Sequence, residues 1–552
     1  MKKLLLFTCM VAMGLTAFAQ NPYAYNASTG EVADQALPVN YTLNAAAVSV
    51  AVDFIDANGA IVKSEDLGEE YLTAGEHAAS VSIEGLDPGT YSLAIRVKGA
   101  ALDAPVQCDP VYKFWSPYGI AIDNDPMSKH FGRILVTECQ PSVNNKDATT
   151  AYWTSNQHSG VGVGLYEFDP QLNRLQNPEG TYGYAVPWTQ ENFAYADYTG
   201  GTGNNFALKK VKISKDGRIF VGGLDVKNGE PLCEVNPDNL AEWTPIFVGE
   251  QSNYGETSKD CNLYDAEGNF VAGYSVCFAV TGEGENLKIM NHSSTIGQVF
   301  TYSYYKMFEY PLGTATTWDA PATNEVTPVS GNYTISAQNV SIDYDPNGNL
   351  WYAQYRAEPT EAQPTMKHFS KNSEGEWVED YSYVTGDGFP YNRGGGIACS
   401  PDGTKLAFST GNFKLTVADV TYDESGAPTI DLANAVTLTS TDVRGFNDIA
   451  WDYAGNLYSC DNGKEKFRRF AFPRTSSAKE GDPNEVSTPL RPEFDLTIST
   501  PTSVTDMNVN KAITSVEYVN VNGQVSSTPF KGVNIVVTRY ADGSKNVTKL
   551  VK

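Results

Sequence analysis

Asn447-Asp448-Ile449-Ala450-Trp451-Asp452-Tyr453-Ala454-Gly455-Asn456-Leu457-Tyr458-Ser459 reads as a strand, a tight turn and a second strand. Ile449 to Trp451 are apolar or small, and Asp452 to Asn456 carry turn chemistry, with a glycine where positive φ is wanted. Leu457 and Tyr458 then resume the strand. Variants recur at Asn339–Trp351, Gly396–Leu406, Val211–Ile219 and Gly119–Asp123, the last with a longer turn before Arg133-Ile134-Leu135-Val136. The turn glycines Gly348, Gly403 and Gly455 stand 55 and 52 residues apart. A hairpin unit repeating at about fifty residues predicts the blades of a β-propeller.

The chain has 552 residues, enough for two or three domains. Lys2-Lys3, the apolar run from Leu4 to Phe18 and Ala17-Phe18-Ala19 have the order of a secretory signal peptide, residues 1–19, and the run is too short for a membrane span. Export follows, to the extracellular space or the outer-membrane surface, with the periplasm as the other compartment left open. The formal net charge of −26 argues against nucleic acid and anionic membranes, which attract positive patches. Abundant Tyr and Gly without long helical patterns fit an all-β chain. Beyond the leader, Cys108, Cys139, Cys233, Cys261, Cys277, Cys399 and Cys460 show no CxxC and no Cys/His cluster. Neither a disulfide scaffold nor a zinc site is expected, and Cys399 and Cys460 read as buried blade residues.

Residues 20–105 read as a β-sandwich, from the alternating Val48–Ile55, Ala79–Ile83 and Tyr91–Val97 split by Asn-Gly and Pro-Gly turns. Its expected role is a spacer. Residues 106–475 carry the propeller, with six blades expected and seven as the alternative. Leu263–Val271 is assigned as a degenerate sixth hairpin and Lys466–Phe470 as an outer strand of the last blade. Phe300–Tyr310 reads as a further blade strand. Residues 476–510, rich in Ser, Thr, Pro, Asp and Asn, read as a linker, and residues 511–552 as a small C-terminal β module.

Three resemblances attach to these stretches. Leu86, Gly89, Tyr91, Leu93 and Ile95 resemble the closing strand of immunoglobulin-like modules of bacterial surface proteins. The blade hairpins resemble those of NHL, YVTN and gluconolactonase-type propellers. Tyr518, Gly523-Gln524, Gly532, Ile535-Val536, Asp542-Gly543-Ser544 and Lys549-Leu550-Val551-Lys552 resemble the C-terminal sorting domain of type IX secretion in Bacteroidetes, although Tyr518-Val519-Asn520-Val521-Asn522 replaces the commoner Y-N-L-x-G. That likeness implies the secretion machinery as a partner.

Aligning the copies puts Tyr118, Lys210, Gln338, Asn339, Arg393, Asn447 and Asp448 where chain enters the inner strands, at one mouth of the ring. Such a polar set suits ligand binding. Trp188 and Tyr195, in the aromatic stretch 181–205, suit stacking on sugar rings. The leading expectation is therefore a binding protein for a glycan or another extracellular macromolecule, without a cofactor. The gluconolactonase likeness implies an alternative, a metal-assisted lactonase or lyase using Asn339 and Asp448 with Lys210 or Arg393. A divalent cation such as Ca would be held there, although the E-G-P glutamate of that family is missing. A purely structural surface module is the third reading. Asp343-Tyr344-Asp345-Pro346-Asn347-Gly348 opens like a calcium loop, but Gln354 stands where the loop's glutamate belongs, so a hairpin turn is expected. The five histidines have no ligand spacing, and no nucleophile elbow, Walker loop or HExxH occurs.

Overall fold

The computed structural model describes residues 20–139 (115 apart), 164–184 (181 apart), 208–223, 231–251, 263–294 (274 and 276 apart), 305–327, 341–353, 366–384, 396–409, 413–442, 446–474 (462, 463 and 465 apart), 481–499 and 512–552 (542 apart). Strands dominate these residues, and no helix among them is long and apolar enough to cross a membrane.

The repeated hairpin forms for a local reason. Asp452 Oδ1 accepts hydrogen bonds from the N–H groups of Ala454 and Asn456 at 3.0 and 2.8 Å. Asp345 does the same to Asn347 and Asn349, and Asp265 to Glu267 and Asn269. The glycine three residues after each aspartate has φ between 76° and 85° at Gly455, Gly348 and Gly268. One carboxylate thus fixes a type I turn, and the glycine supplies the left-handed residue that returns the chain to the ladder. The Asp345 carboxylate is spent in this way, as the turn reading of that stretch expects.

Six antiparallel sheets follow. Their inner strands are Pro117–Ile122, Leu208–Ile213, Phe278–Thr281, Ser341–Tyr344, Ile397–Cys399 and Phe446–Trp451, heading blades 1 to 6. Six apolar cores separate them. Leu135 and Val211 share one, Phe220 and Phe278 the next, Met290 and Ile342 the third. Trp351 and Leu406 share the fourth, and Ala407 and Ile449 the fifth. The sixth joins Phe467 of blade 6 to Ile120 and Val136 of blade 1, so the ring closes. The chain is a β-propeller, with six blades among the described residues.

Two expectations about the blades need correction. The hairpin Leu263–Val271 belongs to a separate three-stranded sheet, Glu250–Gln251, Leu263–Tyr264 and Phe270–Ala272, that fills the core between blades 2 and 3. Its apolar side chains pack there without facing the axis, and blade 3 begins instead at Phe278. Lys466–Ala471 is the third strand of blade 6, not the outer one. Val106–Lys113, from the start of the propeller, adds the outer strand, so the first and last segments share one sheet.

The N-terminal module has two sheets. One contains Ala24–Thr29, Ala36–Leu43 and Gly75–Ser82; the other contains Ser49–Ile55, Ile61–Asp66 and Gly89–Lys98. Val50 to Phe54 are all buried, as are Leu93 to Ile95 and Val97. The described part of the stretch 476–510, expected as a linker, reaches this module. Glu485–Pro489 pairs with Lys98 to Ala94 as an edge strand. The module is also fixed to the propeller. Asn21 N–H donates to Asn456 Oδ1 at 2.8 Å, Asn456 Nδ2 donates back to Asn21 O at 2.9 Å, and Tyr23, Phe131 and Val486 share a core.

In the C-terminal unit, Ile513–Asn520, Val525–Ser526, Val533–Tyr540 and Lys545–Val551 form a four-stranded antiparallel sheet whose side chains are exposed or half-buried, with Asn534 buried.

Candidate functional site

The strand starts of blades 6, 1 and 2 do converge. Gly119 has no room for a side chain, because a Cβ there would lie 2.7 Å from Lys209 O and from Lys210 Cα. That close approach places Lys210 against blade 6. Its Nζ donates to Asn447 O and lies 3.2 Å from Asp448 Oδ1. Lys212, two residues on and so on the same face of the strand, reaches Asp448 at 3.4 Å. Asp448 also accepts from Ile120 N–H at 3.1 Å, and Asn447 Nδ2 donates to Pro117 O. Tyr118 is buried with the Lys209 ammonium 3.5 Å from its ring centroid.

Lys210 is 1% exposed and Asp448 0%. These residues therefore do not line an open mouth. Gln338, Asn339, Arg393, Trp188 and Tyr195 lie outside the described residues.

Further along the axis is a channel of about 460 Å3, to which every inner strand contributes, with Ile120, Lys212, Val280, Asp343, Cys399 and Ile449 among its lining. Asp343 Oδ2 accepts from Cys399 N–H at 2.9 Å. Burial pushes the Asp343 carboxyl up to about 6, against the opposing pull of Lys212. Burial would lower Lys212, but Asp448 and then Asp343 outweigh it and the net shift is upward. Burial also lowers Lys209 and pushes the Cys277 thiol up to about 12, leaving that thiol a poor nucleophile at neutral pH.

The chemistry open to this set is limited. Lys210 and Lys212 are both ion-paired to Asp448, and among the described residues no three of His, Cys, Asp and Glu stand together as a metal-ligand set. Lys212 and Asp343 belong to the channel's polar lining and were missed as a site by sequence reasoning. The available signal was the pair Lys210 and Lys212, two charges on one face of an inner strand that also carries Leu208, Val211 and Ile213.

His368 lies in blade 4 between carboxylates, with Nδ1 2.7 Å from Asp380 and Nε2 3.3 Å from Asp345, beside the Trp351 ring. It ties the blade's third strand to its turn and fourth strand.

The described residues thus form a β-propeller, with six blades among them, a polar axis and a docked N-terminal module. No protein-family profile matches the chain, and no curated protein matches it. Solved structures similar to it include the β-propeller domain of Cps50 (Swd1) from Myceliophteria thermophila, at 11% identity and TM-score 0.32, covering 70% of this chain and 94% of that one. The WD40 β-propeller domain of Doa1 is similar at 9% identity and TM-score 0.31, covering 70% of this chain and all of that one.

Proposed function

We propose that this chain is an exported binding protein, held at or released from the cell surface, that recognises a glycan or another extracellular macromolecule through its propeller. One observation carries the binding reading over the catalytic one. The charged groups on the axis are hydrogen-bonded and ion-paired to one another, and the space beside them is a channel shared by all six inner strands. Ligand sites favour such concave, mostly preformed places. The leader-like residues 1–19 and the sorting-like residues 511–552 support export and a role for secretion machinery.

The test is retention of the metal-free mature protein on a glycan array. Binding that falls in a Trp188→Ala variant supports the proposal. A divalent metal that survives dialysis, and is lost in Asp448→Ala, would replace it with the lactonase or lyase reading.

A further inference from the structure

A second cavity, of about 280 Å3, lies between blades 5 and 6 and the returning strand Glu485–Pro489. We propose that it is a binding site for a small carboxylate whose body is a single ring, independent of the axial channel.

The cavity wall has an apolar side, with Trp451, Tyr453, Phe472 and Pro473. The Trp451 indole N–H already donates to Ala398 O at 3.1 Å, so this ring offers the cavity only its apolar surface. Opposite in character is Arg474. Its Nη1 donates to Pro483 O at 3.0 Å, and among the described residues no carboxylate lies within ion-pairing distance of it. Arg474 is half-buried, and a guanidinium has five N–H donors, so further donors remain to face the cavity beside the one given to Pro483 O.

The acidic groups nearby are committed elsewhere. Asp419 pairs with Lys405, and Glu485 lies 3.7 Å from Arg96. Asp402 Oδ1 accepts from Ser400 Oγ and from Thr404. Asp452 is held by its own turn and by Asn456. Burial lowers the Arg474 pKa, and the more distant fields of Asp452 and Asp402 only partly offset this. The Arg474 guanidinium therefore stands in the wall as a cation with no ion-pairing carboxylate among the described residues. The planar fork of arginine matches a carboxylate with two parallel hydrogen bonds, which a neutral hydroxyl cannot reproduce. The volume accommodates one ring beside it, and flat faces such as Trp451 and Tyr453 suit a sugar or an aromatic ring.

Calorimetric titration of the full mature chain tests this with galacturonate and benzoate, each paired with a neutral counterpart, galactose and benzamide. The expected result is binding of at least one carboxylate and not its counterpart. Arg474→Gln should weaken that binding by about tenfold or more, and Arg474→Lys, which keeps charge but not the fork, should fall between. If galacturonate alone binds, the ligand is a sugar acid; if benzoate alone binds, it is an aromatic acid. The proposal is overturned if neither carboxylate binds the wild-type chain. Equal binding of a neutral counterpart, or undiminished affinity in both variants, overturns it as well. Arg474→Lys retains the charge and keeps the test open should Arg474→Gln fail to fold.

Discussion

Asn21 and Asn456 are 435 positions apart, yet they exchange hydrogen bonds in a buried contact, Asn21 N–H to Asn456 Oδ1 at 2.8 Å and Asn456 Nδ2 to Asn21 O at 2.9 Å. Asn456 Nδ2 also donates to Asp452 Oδ2 at 2.8 Å. One side chain thus holds the sixth-blade turn and the N-terminal module together. Replacing Asn456 by Ala should cost about 2–4 kcal/mol, since several buried polar groups lose partners at once. Urea unfolding measures this, with a lower midpoint expected. An unchanged midpoint would show that the docked module adds nothing to stability.

The Asp343 carboxyl titrates near 6 in the folded chain, against 3.8 ordinarily, because burial penalises its charge. Between those two values the folded state holds the extra proton, so this group's contribution to stability falls as pH rises through that window. Above about 6 the charged form costs stability fully. Asp343→Asn should therefore stabilise the protein at pH 7, by about 1–3 kcal/mol at most, and flatten the stability profile between pH 4 and 6. Thermal melts across that range check it, and a profile as steep as the wild type's would refute it.

Lys210 and Asp448 form a buried pair at 3.2 Å. Lys210→Met should cost about 2–4 kcal/mol by leaving the aspartate with Lys212 alone. The double variant Lys210→Met/Asp448→Asn should cost less than the sum of the singles. A coupling of about 0.5–3 kcal/mol, read from denaturant unfolding, is expected. Strict additivity would mean that the axis is not held by this pair.

Gly119 abuts blade 2 backbone, so Gly119→Ala should destabilise the ring by about 1–3 kcal/mol or more. The neighbouring atoms, Lys209 O and Lys210 Cα, are main chain and cannot move aside as a side chain would. A variant as stable as the wild type would show that the strand starts are looser than this geometry.

The turn sequence Asp452–Asn456 and its copies were enough to give the propeller, because one aspartate and one glycine determine a hairpin within five residues. The alternation of Val50, Val52 and Phe54 was likewise enough to give the N-terminal sheets. Lys210, Asn447 and Asp448 were legible as neighbours, since repeat alignment puts them at matching places on the ring. Their burial was not legible, because it depends on how closely Gly119 lets adjacent blades approach. Nor could spacing reveal that Val106–Lys113 closes blade 6, that Glu485–Pro489 completes the N-terminal sheet, or that Arg474 faces a cavity. Short-range hydrogen bonds are written into consecutive residues. Strand partners hundreds of positions apart are chosen only when the whole ring closes and each remaining edge and charge must find its match.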